Sequence, residues 1–500
     1  MNEKLWGDFE GRMRDLRELR SAASLLGWDQ ETCLPPRASE ARGRQVAVLE
    51  AVIHERLCDP RLADTIAALA GEALPPDRAA MVRQLSREAE RARKLPEAWV
   101  RALARAQSAG LAAWRQAREA HRFDLFAPAL GKLLALRREQ ADLLGHGGVR
   151  YDALLDIYEP GARVAALQPL FARLSTELRR LAEMIAGSGR RTPAIEGRFE
   201  VARQETFCRE LVTAMGFDLT AGRLDRSAHP FTLGVHPTDV RLTNRYREDD
   251  PRPAIFGAIH ECGHGLYEQG FAPVIAGTNL ADAPSFGLHE SQSRLWENLV
   301  GRSLPFWRAF FPGLQKLFPE ALGNLAVEEF HAAVNGVGHS PVRVEADEVT
   351  YNLHIALRLA LEAAMIAGDL EPAELPGAWN ETSRRLLGFS PRDDVEGVLQ
   401  DIHWAWGDVG YFPSYTLGNL YAAILLDAAE REIPNLWERV SHGELLPLRE
   451  WLRRKIHAPG RQRDTEETVR AATGEGLSER PFLAYLWAKY GELYGLARGR

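Results

Sequence analysis

Ile255-Phe256-Gly257-Ala258-Ile259-His260-Glu261-Cys262-Gly263-His264-Gly265-Leu266-Tyr267-Glu268 is the stretch from which the rest of this chain is read. Ile255, Ile259, Cys262 and Leu266 recur at spacings of three and four, the period of a helix with one buried face. Asp250 can cap such a helix, and Pro251 and Pro253 suit its first turn. On it His260 and His264 stand one turn apart on one face, where two imidazoles can meet one metal ion. Glu261 lies beside them to take a proton from water, and the H-E-x-x-H pattern is a zinc hydrolase signature. Gly257, Gly263 and Gly265 each cost a helix about 1 kcal/mol relative to alanine, so something packs close to this backbone, either a neighbouring element or a substrate. Cys262, two residues from His260, points to the opposite side and is a poor ligand.

Two histidines need a third protein ligand, because catalytic zinc takes three and keeps one position open. A histidine in H-E-x-x-H-x-x-G-x-x-H would stand at position 270, which is Gly270. A carboxylate on a later helix is therefore expected, with Glu290, Glu297 and Glu268 as candidates. Glu268, one turn past His264, would struggle to reach the same ion, and Glu297 reads as a solvated or structural acid. Glu290 has the best case: it starts the helix that Ser285 can cap, in a polar cluster with Ser291 and Gln292.

Outward from the motif, residues 1–187 read as almost wholly helical, with apolar spacing broken by Pro and Gly. Phe9, Met13 and Leu16 line a first helix, Asp77 can cap another, Pro96 opens the next, and Gly145 ends one over 128–144. Trp28 reads as a core anchor. No fixed-period repeat appears, so a bundle-like lobe is expected. Between Gly222 and Arg247 the pattern turns to short strands, over 232–235 and 240–246 with 236–239 as the turn. The exposed edge of such a sheet can bind an extended peptide by adding a strand. Helices resume after the motif, interrupted by a Gly/Pro/aromatic loop at 407–415. No linker separates independent units, so 1–500 reads as one domain: a mainly helical part over 1–220, then the sheet and metal-site helices over 221–500.

Composition narrows the class. The chain has 500 residues, 45% hydrophobic and 26% charged, with formal net charge -7, which gives no reason to expect nucleic acid or an anionic membrane as partner. No apolar run of transmembrane length and no apolar stretch behind a basic start appear, so a cytoplasmic protein is the expectation. Cys33, Cys58, Cys208 and Cys262 are too scattered for a disulfide framework or a zinc ribbon.

Six separate stretches, in order, resemble the carboxypeptidase Taq family of metallocarboxypeptidases. They are His229-Pro230-Phe231, Asp239-Val240-Arg241-Leu242-Thr243, His260-Glu261-Cys262-Gly263-His264, His289-Glu290-Ser291-Gln292-Ser293, Val342-Arg343-Val344-Glu345-Ala346-Asp347 and Gly397-Val398-Leu399-Gln400-Asp401-Ile402-His403-Trp404. The resemblance begins at Trp28-Asp29-Gln30-Glu31-Thr32 and covers nearly the whole length. It implies a mainly α, zincin-like fold related to neurolysin and angiotensin-converting enzyme, a helical groove with one small β-sheet, assembled as a homodimer. It implies removal of C-terminal residues from peptides with broad specificity, using zinc, or cobalt in some members. Carried over by position, His260, His264 and Glu290 hold the metal and Glu261 acts as general base and acid. Departures are modest: Val342 stands where isoleucine is usual, Asn279 where proline is common and Ile424 where glutamine often follows Tyr-Ala-Ala.

Other roles follow from chemistry. A free carboxylate is best held by arginine through a two-pronged hydrogen bond, and Arg343 is the choice, against an ion pair to Glu345 or Asp347. His229 is a second substrate-binding candidate. An oxyanion needs a donor, for which His403, Tyr411 and Tyr415 are candidates. Asp347, Asp401 and Gln292 are candidates to orient histidines, and His354 and His339 read as structural. The competing readings are an endo-acting metallo-oligopeptidase and a helical binding protein with a structural metal. Glu261 argues against the second, since a structural site has no use for an acid between two ligands.

Overall fold

The computed structural model describes residues 2–338 and 340–496, and His339 lies outside them. The first helix, Glu3–Thr32, starts where Asn2 Oδ1 accepts from the Leu5 N–H, and it buries Trp6, Phe9, Met13 and Leu16. Pro76–Lys94, Glu97–Ala120 and Ala127–Leu144 follow, the last ended by Gly145 at φ 88°. Arg150–Tyr158 and Val164–Gly187 complete the run. A single cluster of buried apolar side chains extends from Trp6 to Tyr494.

A three-stranded sheet precedes the motif: β1 (Gly222–Arg226), β2 (Thr232–His236) and β3 (Asp239–Asn244), in the order β1-β3-β2. β2 and β3 form an antiparallel hairpin with Thr232 opposite Leu242, and β1 pairs parallel to β3. β1 escapes sequence reading because Arg223, Asp225 and Arg226 are mostly polar, and an edge strand needs little apolar alternation. Central β3 buries Val240 and Leu242 completely. The outer edge of β2 is partly covered, since Ser21 Oγ of the first helix donates to the Val235 carbonyl at 3.0 Å. Trp28 is buried, with the guanidiniums of Arg241 and Arg223 at 4.5 and 5.0 Å from its ring.

The motif forms the helix Arg252–Gly270, with the Arg252 N–H donating to Asp250 Oδ1. Its three glycines mark crossings with neighbouring elements. A Cβ at Gly265 would lie 2.7 Å from Leu242 Cδ2, one at Gly257 2.8 Å from Asn244 Oδ1, and one at Gly263 2.6 Å from the Gln292 carbonyl oxygen. The last places the motif helix directly against Phe286–Arg294, whose N-terminus is capped by Ser285 Oγ accepting from the Leu288 N–H. That helix widens to π over Leu295–Val300. On its other side runs Pro413–Glu432, where a Cβ at Gly418 would come 2.6 Å from Glu290 Cγ. Gly263 and Gly418 thus let two helices close on the Glu290 helix from opposite sides.

Candidate active site

The two glycine crossings bring Glu290 to the motif face. His264 Nε2 lies 3.2 Å and His260 Nε2 3.8 Å from Glu290 Oε2, and one ligand atom from each of the three residues falls within 4.8 Å of the others. Arg294 Nε donates to Glu290 Oε1 at 2.6 Å and Ser293 Oγ to Oε2 at 3.0 Å, so both carboxylate oxygens are held while Oε2 faces the imidazoles. Two nitrogens and one oxygen, with a cleft alongside, suit a divalent cation that keeps a position open.

The electrostatics fit the same group. Burial favours neutral His260, but the carboxylates of Glu290 and Glu297 outweigh it and hold the imidazolium up to about 9. Burial and the neighbouring His289 push His264 down to about 3. Glu290 stays ionised, since Arg294 and the two histidines overcome its burial. The site is a field of negative charge that, in the protein alone, retains a proton on His260, and a divalent cation would answer the same charge.

Both imidazoles are oriented from behind. His260 Nδ1 donates to Glu297 Oε2 at 2.8 Å, and Arg294 and Arg302 help hold Glu297 down to about 2 against its burial. The Nδ1 atoms of His264 and His289 lie 2.6 Å apart, and His289 Nε2 donates to Glu268 Oε1 at 2.9 Å. With His264 Nε2 turned to the ligand cluster, its Nδ1–H donates to His289, so a relay runs from His264 through His289 to Glu268. Glu268 rests on β2, because a Cβ at Gly234 would overlap its carboxylate at 2.0 Å. These contacts narrow two expectations. Of the two readings of Glu297 the structural one holds and the solvated one does not, since it belongs to the π turn that follows the Glu290 helix and meets His260. Orientation of the ligand histidines falls to Glu297 and His289; of the candidates Asp347, Asp401 and Gln292, only Gln292 holds a histidine, and that is His457. Asp347 caps its own turn at Thr350, Gln292 accepts from His457, and Asp401 lies between two arginines.

Glu261 faces a cleft of ≈510 Å3 lined also by His260, His264, Glu290, Pro230, Phe231, Thr232, Tyr411 and Tyr415. Thr232 Oγ1 donates to Glu261 Oε2 at 2.7 Å, which fixes the carboxylate while burial raises its pKa. Thr232 escaped sequence reading, because a strand threonine carries no signal of its partner. His229 is exposed, and the cleft wall begins at the next residue, Pro230. His403 stacks on Tyr411 with centroids 5.5 Å apart, and burial pushes it down to about 4, so it stays neutral. Burial also pushes the Tyr411 hydroxyl up to about 12, leaving an O–H available to donate.

Arg343 is 6% exposed. Its Nε and Nη2 donate to Asp401 Oδ1 at 3.0 and 2.8 Å and its Nη1 to Tyr351 Oη at 3.0 Å, so its carboxylate partner is Asp401 and not Glu345 or Asp347. Arg358 Nε donates to Asp401 Oδ2 at 2.7 Å. Two buried guanidiniums share one carboxylate. Tyr351 and Arg358 are the members that the motifs did not reveal; both lie on Tyr351–Ala367, a helix whose apolar pattern hides them.

Among known proteins, the chain matches the carboxypeptidase Taq (M32) metallopeptidase family over residues 8–490. It is 47% identical to thermostable carboxypeptidase 1 of Thermus thermophilus, over 96% of this chain and 97% of that one. It is 36% identical to carboxypeptidase 1 of Bacillus subtilis, over 97% and 98%. Its fold superposes on the M32 carboxypeptidase of Deinococcus radiodurans R1 with TM-score 0.96 and 37% identity, over 98% of this chain and 100% of that one. For the Pyrococcus furiosus carboxypeptidase the TM-score is 0.95 at 36% identity, over 98% and 99%. Ligand cluster, cleft and full-length likeness agree: the chain belongs to the carboxypeptidase Taq (M32) family and is a metal-dependent carboxypeptidase.

Proposed function

We propose that the protein removes C-terminal amino acids from peptides with broad specificity, with His260, His264 and Glu290 holding zinc, for which cobalt can substitute. When bound, the ion supplies Lewis acidity toward the scissile carbonyl and acidifies water. Glu261, fixed by Thr232, takes a proton from the attacking water and returns it to the leaving amine. Tyr411 and Tyr415 line the cleft as O–H donors toward the developing oxyanion, and His403 backs Tyr411 through their stacked rings.

The observation that carries the exopeptidase reading is the pair of guanidiniums on Asp401. Arg343 and Arg358 bring two positive charges and Asp401 one negative, leaving a buried excess of one positive charge beside Tyr415. A peptide's terminal carboxylate is the anion that would balance it, and Arg343 is the arm we assign to it. His229, exposed at the head of the Pro230 wall, is assigned to the flank of the peptide. Pairing with a second copy, a cytoplasmic setting and kinship of the groove with neurolysin and angiotensin-converting enzyme complete this reading. The sequence resemblance supports the dimer and the kinship; the four unpaired cysteines support the setting.

Acetylated dipeptides with a free or an amidated C-terminus test the reading on zinc-loaded protein. Release of the terminal amino acid from the acid, with the amide cut at least a hundredfold more slowly, is the expected result. Equal cleavage of both would overturn it.

A further inference from the structure

The Glu290 helix sets a direction across the cleft. Phe286 stands four residues before Glu290 and Arg294 four after, so the two lie about 6 Å to either side of it along one face. On the Arg294 side, Arg294 Nη2 and Arg343 Nη1 both donate to Tyr351 Oη, at 3.3 and 3.0 Å. On the Phe286 side, three rings meet edge to face. Tyr158 and Phe286 are 5.5 Å apart at 80°, Tyr158 and Tyr411 5.2 Å at 82°, and Phe286 and Tyr411 5.6 Å at 76°. All three rings line the cleft that holds the metal ligands.

Phe286 is the anomaly here. It is 50% exposed although wholly apolar, and it stands in a cleft that also collects charged side chains. The cage around it is built. Glu159, 3% exposed and next to Tyr158 in sequence, accepts from the Gly287 N–H at 2.5 Å and from Ser414 Oγ at 2.6 Å. One buried carboxylate therefore fixes the three segments that carry Tyr158, Phe286 and Tyr411.

A terminal carboxylate at Arg343 places the departing residue on the Arg294 side of Glu290, so the acyl portion of the peptide runs the other way, over the rings. We propose that Phe286, Tyr158 and Tyr411 form the subsite for the side chain of the penultimate residue, the one whose carbonyl is attacked, and that it selects large apolar and above all aromatic side chains. Three rings already edge to face offer a fourth ring the same geometry. The direction, though not the ring site itself, rests on the Arg343 reading.

Acetyl-Phe-Ala, acetyl-Ala-Phe and acetyl-Ala-Ala, given to zinc-loaded wild type and Phe286→Ala, test the subsite through kcat/KM. Wild type should favour acetyl-Phe-Ala over acetyl-Ala-Ala by roughly tenfold or more, on the scale of one well-filled apolar pocket. Phe286→Ala should bring that ratio below threefold while leaving the preference between acetyl-Ala-Phe and acetyl-Ala-Ala as it was, and Phe286→Leu should restore part of it. Half-exposed Phe286 supports no core, so its loss does not threaten the fold. A ratio unaltered in Phe286→Ala, a wild type indifferent to the penultimate residue, or a change confined to the terminal residue would each overturn the proposal. Acids against amides decide the Arg343 reading separately, since loss of that discrimination leaves the penultimate ratio readable.

Discussion

The metal-ligand cluster and the buried polar pairs packed behind the cleft are built on different length scales. His260, Glu261 and His264 occupy little more than one turn of one helix, and Glu290 follows about thirty positions later on the next helix. The buried pairs are gathered from afar. Arg343 meets Asp401 across 58 positions, Tyr151 meets Glu362 across 211, and Glu159 meets Ser414 across 255. A site inside one helical turn is fixed by backbone periodicity, whereas one assembled from five segments depends on how the whole core packs.

That contrast can be broken or sharpened by substitution. Arg343→Ala should raise KM for free-acid dipeptides by about a hundredfold, the scale of losing one partner of a desolvated charge pair, while zinc content stays at wild type. Arg358 still pairs with Asp401 in that variant, so the core keeps its neutralising contact. Unchanged kinetics would remove Arg343 from the proposed carboxylate site. Glu297→Gln acts on the other side: competition with a chelator should show roughly 10–100-fold weaker zinc binding, with KM little altered. If KM moved and metal affinity did not, the metal-ligand cluster and the proposed carboxylate site would not be separable.

A third effect concerns the loop that carries Tyr411 and is read in stability instead of in kinetics or metal binding. Glu362, buried on Tyr351–Ala367, accepts from Trp404 Nε1 at 2.7 Å, Tyr151 Oη at 2.9 Å and the Gly410 N–H at 3.0 Å. Burial pushes its carboxyl up to about 7 against those donors, from an ordinary 4.5. The folded protein therefore holds this proton more tightly than the unfolded chain. The stability it contributes is complete below about pH 4.5 and is lost as pH rises through 7, to a total of about 3 kcal/mol. Glu362→Gln lacks the titration, so its stability relative to wild type should improve by up to that amount between pH 5 and pH 8. A difference flat with pH, measured by denaturant unfolding, would show that Glu362 does not titrate there.

The same contrast explains which features are legible in the amino-acid sequence. The H-E-x-x-H helix, the Ser285 cap, the hairpin of β2 and β3 and the need for close neighbours at Gly257, Gly263 and Gly265 are local properties, and the structure repeats each one. Gly263 said that something lies against the helix, but not that it is the Gln292 backbone. Gly418 and Gly234 carried no signal at all, because their need for space comes from Glu290 and Glu268, far away in sequence. Glu297 stayed undecided between a solvated and a structural acid for a related reason: acids on a helix are usually solvated, and only the packing of the π turn on the motif helix turns this one toward His260. Tyr351 and Arg358 sit among apolar neighbours whose pattern describes a core helix, and their polar ends meet Arg343 and Asp401, which arrive from distant segments.

In the proposed mechanism His260, His264 and Glu290 hold one catalytic ion over which Glu261 works. Chelator-stripped protein titrated with zinc, with bound metal and rate of dipeptide hydrolysis followed together, tests it most directly. The rate should rise in step with binding and level off at one ion per chain. Glu261→Gln should bind the same single ion with turnover reduced by a factor on the order of a thousand, and Glu290→Ala should neither retain the ion nor recover rate. Full activity in stripped protein, or wild-type metal uptake by Glu290→Ala, would contradict the account.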